Sequence, residues 1–162
     1  MAMKITLPAD LVNSYVDALI SVSDGVGITA SFVKQDTATG IKAPGSRTAA
    51  IICIVGGAAK FTAALMADMQ SFEAYVNSFT CGVIKADVDD SMSMSVLGEI
   101  TNMVSGRALI SANIPGLDIT PPQLFSGENL RICPPLKSHV KCFTLPFMVN
   151  SGRMYLVLSV YD

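Results

Sequence analysis

Apolar and polar positions alternate along this chain with two different periods, and the switches between them mark out its elements. In PADLVNSYVDALISVSD (8–24), Leu11, Tyr15, Ala18, Leu19 and Val22 fall on one face at helical spacing. Pro8 suits a first helical turn, so a helix is predicted there. VGITASFVK (26–34) carries β-branched residues at a period of two and predicts a strand. TATGIKAPGSR (37–47), with two glycines, a proline and small polar residues, predicts a turn or flexible loop. TAAIICIV and AAKFTAALMA then flank Gly56-Gly57. That arrangement predicts a hairpin with a tight glycine turn, where a positive φ is needed.

MQSFEAYVNSFTC (69–81) returns to helical spacing through Met69, Phe72, Val76 and Phe79. DVDDSMSMSVLGEITNMVSGRALISAN (87–113) opens on Asp and Ser residues able to cap and predicts a long third helix, stopped by Pro115-Gly116. LDITPPQLFSGENL (117–130) is extended and broken by proline, which fits an edge segment or loop better than a central strand. KSHVKCFTLPFMVNSGRMYLVLSVYD reads as two strands joined at Asn150-Ser151-Gly152.

Together these elements predict an α/β fold: an antiparallel sheet built from hairpins, packed against an N-terminal helix and two longer helices. The strand–helix–strand alternation of a doubly wound parallel sheet is missing. With 162 residues, no composition break and no repeat, one domain spanning 1–162 is expected, large enough to bury a core without staples.

Composition narrows the function classes. The chain is 51% hydrophobic and 15% charged, with mean hydropathy +0.49, which excludes disorder and predicts broad buried faces or a subunit interface. No uncharged apolar run reaches the ~18 residues of a membrane span. The opening MAMKITLPAD lacks the apolar run and cleavage site of a secretory leader, so a cytoplasmic location is expected. Net charge is −2 and no Lys/Arg cluster occurs, which removes the basis for nucleic-acid binding. Cys53, Cys81, Cys133 and Cys142 form no CxxC, and His139 is the sole histidine, so no metal site is expected. The cysteines are read as buried free thiols; Cys53 and Cys142 lie in strand-like runs where a thiol behaves as a small hydrophobe. A structural role is expected for His139. DVDD (87–90) lacks the glycine and terminal glutamate of a calcium loop and is read as a cap.

One stretch of the third helix stands apart. On a helical wheel Val96, Leu97, Ile100, Met103 and Val104 gather on a side expected to be buried. Ser95, Glu99, Asn102 and Gly106, at i, i+4, i+7 and i+11, fall within about 60° of one another on the other side. Amphipathic helices turn polar residues outward in any case. Yet this stripe has no Lys or Arg paired i to i+4 with Glu99, and it includes a mid-helix Asn and a Gly, both weak helix formers. Arg107 flanks it.

SVLGEITNMVSGRAL, followed by GLDITPPQLFSGENL, resembles the CheX/CheC/FliY family of chemotaxis phosphatases. The family pattern is Ser or Asp, three residues, Glu, two residues, Asn, and a later proline. Ser95, Glu99 and Asn102 match it, with Pro121 or Pro122 as the proline. Only one copy is present, because the second candidate helix spaces Glu73 and Asn77 by four rather than three. A single copy is similar to CheX rather than to CheC.

The resemblance implies a phosphatase that hydrolyses the aspartyl phosphate of a CheY-type response regulator. Asn102 would orient the attacking water and Glu99 would pair with the regulator's lysine. Ser95, Gly98, Gly106, Pro121 and Pro122 would be partner-binding positions. It implies no cofactor of the chain's own, Mg²⁺ carried by the regulator, and a homodimer, for which strand pairing across the C-terminal hairpin is an available route. The competing readings are a non-catalytic binding or assembly module of the same fold, as in flagellar switch proteins, and a purely structural dimer.

Overall fold

Helix α1 (Ala9–Gly25) buries Leu11, Tyr15, Ala18, Leu19 and Val22, the face that the apolar spacing predicts. The computed structural model of the chain describes residues 9–56, 60–114, 116–133 and 139–161; Pro8, Gly57 and Pro115 lie outside the described residues. The strand expected over 26–34 is shorter, β1 (Ala30–Phe32), and runs into a 3₁₀ turn over Lys34–Asp36. Its expected start is taken up by the end of α1, since the backbone N–H groups of Val26 and Ile28 donate to Ser23 O and that of Gly27 to Asp24 O. The loop over 37–47 contains a two-residue strand, β2 (Ala38–Thr39).

β3 (Thr48–Val55) and β4 (Phe61–Ala67) form the expected antiparallel hairpin. Ile54 pairs with Phe61 at the turn end of this hairpin, and the turn expected at Gly56-Gly57 lies in part outside the described residues. α2 (Met69–Phe79) follows, then α3 (Ser91–Ala112). With 11 residues α2 is shorter than the 17-residue α1, so only one of the two later helices is longer. β5 (Asp118–Ile119) and β6 (Gln123–Ser126) both pair with β3 at the sheet margin, as a proline-interrupted segment should. β7 (Val140–Val149) and β8 (Gly152–Tyr161) close the chain through a two-residue turn at Asn150-Ser151, with Asn150 at φ 54° and Gly152 inside the strand.

The sheet is antiparallel in the order β1-β7-β8-β4-β3-β5, with β2 also on β7 and β6 also on β3. Both strands of the C-terminal hairpin are therefore paired on their outer sides. β8 is paired along Met154–Val160 with β4, whereas the outer side of β7 is covered only in part, by the short β1 and β2. Pro146 sits in β7 where β1 gives way to β2: its carbonyl accepts from Val33 N, and its absent N–H points to the same side.

All three helices pack on one face of the sheet. Ala50, Ile52 and Ile54 of β3, Phe61 and Leu65 of β4, and Leu156 and Leu158 of β8 point toward them and are almost wholly buried. Each large apolar side chain among them contributes roughly 1.5–3 kcal/mol by leaving water. The Tyr15 and Phe61 rings meet edge to face at 6.3 Å. Ser23 Oγ lies 2.5 Å from the Tyr75 hydroxyl and braces α1 against α2; burial pushes that phenol up to about 12. On the opposite face Ala49, Ala64, Met66, Tyr155 and Val157 form a second, smaller core, covered by Ile41, Ala43, Leu130 and Ile132. Burial on both faces explains why TAAIICIV shows no clean alternation.

The expectation for the cysteines is corrected by their positions. All four are free, but Cys81 and Cys133 are exposed, Cys53 is half-buried and only Cys142 is buried. Cys81 sits in the turn after α2 with φ 53°, outside any strand. Among the described residues no helix is long and apolar enough to cross a membrane.

Candidate functional site

The opening of α3 is held by the acidic run before it. Asp90, in extended conformation, accepts from Ser93 N at 3.0 Å, and Ser93 Oγ in turn accepts from Asp87 N at 2.9 Å. DVDD is thus a helix cap, worth about 1 kcal/mol. Asn113 ends the helix in the left-handed conformation. Between the caps run 22 residues, a rod of about 33 Å whose ends are fixed.

α3 is wedged among α1, the sheet and β6, so most of its circumference is buried. Val96, Leu97, Ile100 and Val104 are buried as expected, joined by Ser93, Met94, Gly98, Thr101, Ser105, Ala108 and Leu109. Met103 departs from the expectation: it is 40% exposed, because it lies at the edge of the apolar arc, outside the cleft between α1 and the sheet. The buried Thr101 donates its hydroxyl to Leu97 O at 2.7 Å, so burial leaves it satisfied.

Ser95, Glu99 and Asn102 are all exposed, on adjoining turns of one face. Ser95 Oγ donates to Met92 O at 2.7 Å and keeps close to the helix. Gly106 is half-buried, and a Cβ added to it would meet nothing within 4 Å. Arg107 is exposed beside the stripe and donates to Ser21 Oγ of α1, which ties the two helices together. The result is a narrow polar ledge with one carboxylate and one amide, flanked by small groups that leave room for an approaching surface.

The prolines divide. Pro121 is exposed, whereas Pro122 is half-buried against α3. A Cβ on Gly98 would lie 3.2 Å from Pro122 Cγ and 3.1 Å from Leu124 Cδ2. Gly98, expected among the partner-binding positions, is buried at the point where β6 closes on the helix. Leu124 was not singled out by the sequence, since only the pairing of β6 with β3 brings it beside the ledge. Gly98→Ala is expected to gain about 1 kcal/mol of helix propensity and lose a similar amount to crowding. The melting temperature should move by less than about 3 °C, while amide exchange over 123–126 quickens.

Other candidates fall away from the ledge. Glu73 and Asn77 are exposed on α2. His139 is exposed just before β7. Among the described residues no group of three His, Cys, Asp or Glu is placed to hold a metal ion.

Relatives of known structure and activity share this framework. The chain is 28% identical over 159 residues to the CheY-P phosphatase CheX of Thermotoga maritima, covering 95% of this chain and 97% of that one. Its fold is similar to a CheC-like superfamily protein from Shewanella sp. PV-4, with a TM-score of 0.78 at 22% identity, covering 96% of this chain and 99% of that one. It is also similar to the CheX of a CheX–CheY–BeF₃–Mg²⁺ complex from Borrelia burgdorferi, with a TM-score of 0.67 at 18% identity, covering 94% and 97%. The family described as chemotaxis phosphatase CheX matches residues 48–148, a span that holds the sheet's central hairpin, all of α3 and both prolines. By that match the chain belongs to the chemotaxis phosphatase CheX family.

Proposed function

We propose that this chain is a phosphatase that hydrolyses the aspartyl phosphate of a CheY-type response regulator, with Asn102 orienting the attacking water and Glu99 pairing with the regulator's lysine. The observation that carries the reading is the joint exposure of Glu99 and Asn102 on neighbouring turns of a capped, rigid helix. A mere docking ledge has no need of an amide at that place. Family membership and the 28% identity to a CheY-P phosphatase support the same reading.

Phosphoryl transfer demands positioning and charge stabilisation more than covalent help. An amide is suited to positioning, because its carbonyl oxygen accepts from a water while its NH₂ donates, and neither titrates near neutral pH. Water held in line attacks phosphorus, the P–O bond to the aspartyl carboxylate breaks, and the carboxylate leaves with the bonding pair. The water's proton passes to the released phosphate or to solvent. Mg²⁺ on the regulator neutralises phosphoryl charge there, and the chain needs no cofactor of its own. Glu99, one turn before Asn102, sets the depth and register of insertion through its ion pair. Ser95, Gly106 and Pro121 border the approach. The reading carries with it a cytoplasmic location and a homodimer.

The test is dephosphorylation of purified CheY-type receivers in Mg²⁺. The chain is expected to shorten the life of the acyl phosphate at least about tenfold, a barrier change of about 1.4 kcal/mol. Glu99→Ala should lower kcat/KM about 30-fold, the loss of about 2 kcal/mol that follows when one partner of a desolvated ion pair is removed. Phosphate lifetimes that are equal with and without the chain, across the receivers of its own genome, would reject the proposal.

A further inference from the structure

The polar ledge of α3 lies between two apolar banks. Of the eight large hydrophobic side chains exposed among the described residues, four border it: Met92 at 62%, Met103 at 40%, Ile110 at 83% and Leu124 at 36%. Met92, Met103 and Ile110 stand at i, i+11 and i+18, a spacing that aligns them within about 20° in a row about 27 Å long. That row runs roughly 60° around the helix from the line of Ser95, Glu99, Asn102 and Gly106. Leu124 forms the other bank, carried to the opposite flank by the contact of β6 with Gly98.

Charges on α3 itself are as sparse as its apolar groups are dense. In all 22 residues of α3 only Glu99 and Arg107 are charged, and Arg107 is turned to Ser21 of α1. Glu99 is therefore the one carboxylate on α3, with Asp87, Asp89 and Asp90 lying before its first turn, at the Met92 end. Such a surface is complementary to one that presents a single cation inside a neutral, apolar rim. It offers nothing to a polyanion.

We propose that Met92, Met103, Ile110 and Leu124 form the docking surface by which this chain holds the phosphorylated receiver, setting affinity together with the Glu99 ion pair while Asn102 sets the rate. The inference rests on the phosphatase reading above. Apolar banks around a polar centre exclude water from it, and a Glu99 ion pair gains strength as water leaves. Methionine suits such a bank because its unbranched chain adapts to the surface it meets. Contacts made equally in the ground state and transition state change KM and leave kcat in place.

β6 supplies its own control. Leu124 pairs with Ala50, whose side chain faces the helices, whereas Phe125 pairs with Ala49 on the opposite face and is 44% exposed there. Binding is read with a receiver activated by beryllofluoride and Mg²⁺, a stable phosphoryl mimic, and turnover with the phosphorylated receiver. Met103→Ser and Leu124→Ser are each expected to weaken binding and raise KM about tenfold, with kcat little altered. Phe125→Ser should bind as the parent does. Asn102→Ala should bind and fail to turn over. If the two bank variants bind like the parent while Asn102→Ala loses turnover, this proposal falls and the phosphatase reading stands. If the parent chain binds no activated receiver, both fall. If the bank variants lose self-association yet bind the receiver normally, the surface belongs to a second copy of the chain and the proposal is overturned.

Discussion

Asn102→Ala is expected to lower the acceleration of receiver dephosphorylation by roughly 10²- to 10³-fold, the usual cost of removing one preorganised hydrogen-bonding group from a reacting centre. The fold gives this result an unusually clean interpretation. Asn102 is exposed in the middle of α3, far from either cap, and alanine is the better helix former by about 0.5 kcal/mol. The variant should melt at or slightly above the parent temperature, so lost activity cannot be put down to unfolding. Affinity for a beryllofluoride-activated receiver should change by less than about threefold, because the amide acts on the water and not on the partner. Asn102→Asp should fail as badly, since its carboxylate would face the anionic phosphoryl group. Retention of more than half the acceleration by Asn102→Ala would dismiss the water-orienting role.

The second large effect is on stability and lies away from the ledge. Gly152, at the start of β8, sits over the first turn of α2. A Cβ there would come within 2.5 Å of Ser71 Oγ, 2.7 Å of Asp68 Oδ1 and 2.7 Å of Ser71 N. Asp68 caps α2 through Ser71 N at 2.8 Å with one oxygen and accepts from Arg153 N at 2.7 Å with the other. No methyl group fits without breaking this clasp, and two of the atoms in its way belong to the cap itself. Gly152→Ala should therefore cost about 2–4 kcal/mol, crowding plus a lost cap, and lower the melting temperature by about 5–15 °C. Thermal unfolding followed by circular dichroism measures it directly. A shift under about 2 °C would mean that the clasp opens at little cost.

Much of this architecture was legible because its determinants are local. The apolar face of α1, the aspartates that cap α3 and the two long hairpins all depend on residues within a few positions of one another. The exposed ledge was legible too, since helical spacing alone puts Ser95, Glu99 and Asn102 together. What escaped depends on which distant segment lands on which face. Met103 fits an apolar arc by spacing, but the width of the cleft that receives α3 is set by α1 and the sheet, and Met103 falls outside it. Gly98 sits within the family motif, yet its packing role follows from the long-range pairing of β6 with β3. Cys81 and Cys133 ended exposed because thiol burial follows the element that carries the residue, and both lie in connections.

Pro146 has a bearing on solubility. Among the described residues, three of β1 and two of β2 pair along the outer side of β7, a ten-residue strand dense in apolar side chains. When those short pieces fray, β7 is left as a margin onto which a foreign chain could add. The proline interrupts that template at its centre, because the donor it lacks is one an incoming strand would need there. The seam between β1 and β2 thus doubles as a guard against runaway strand addition.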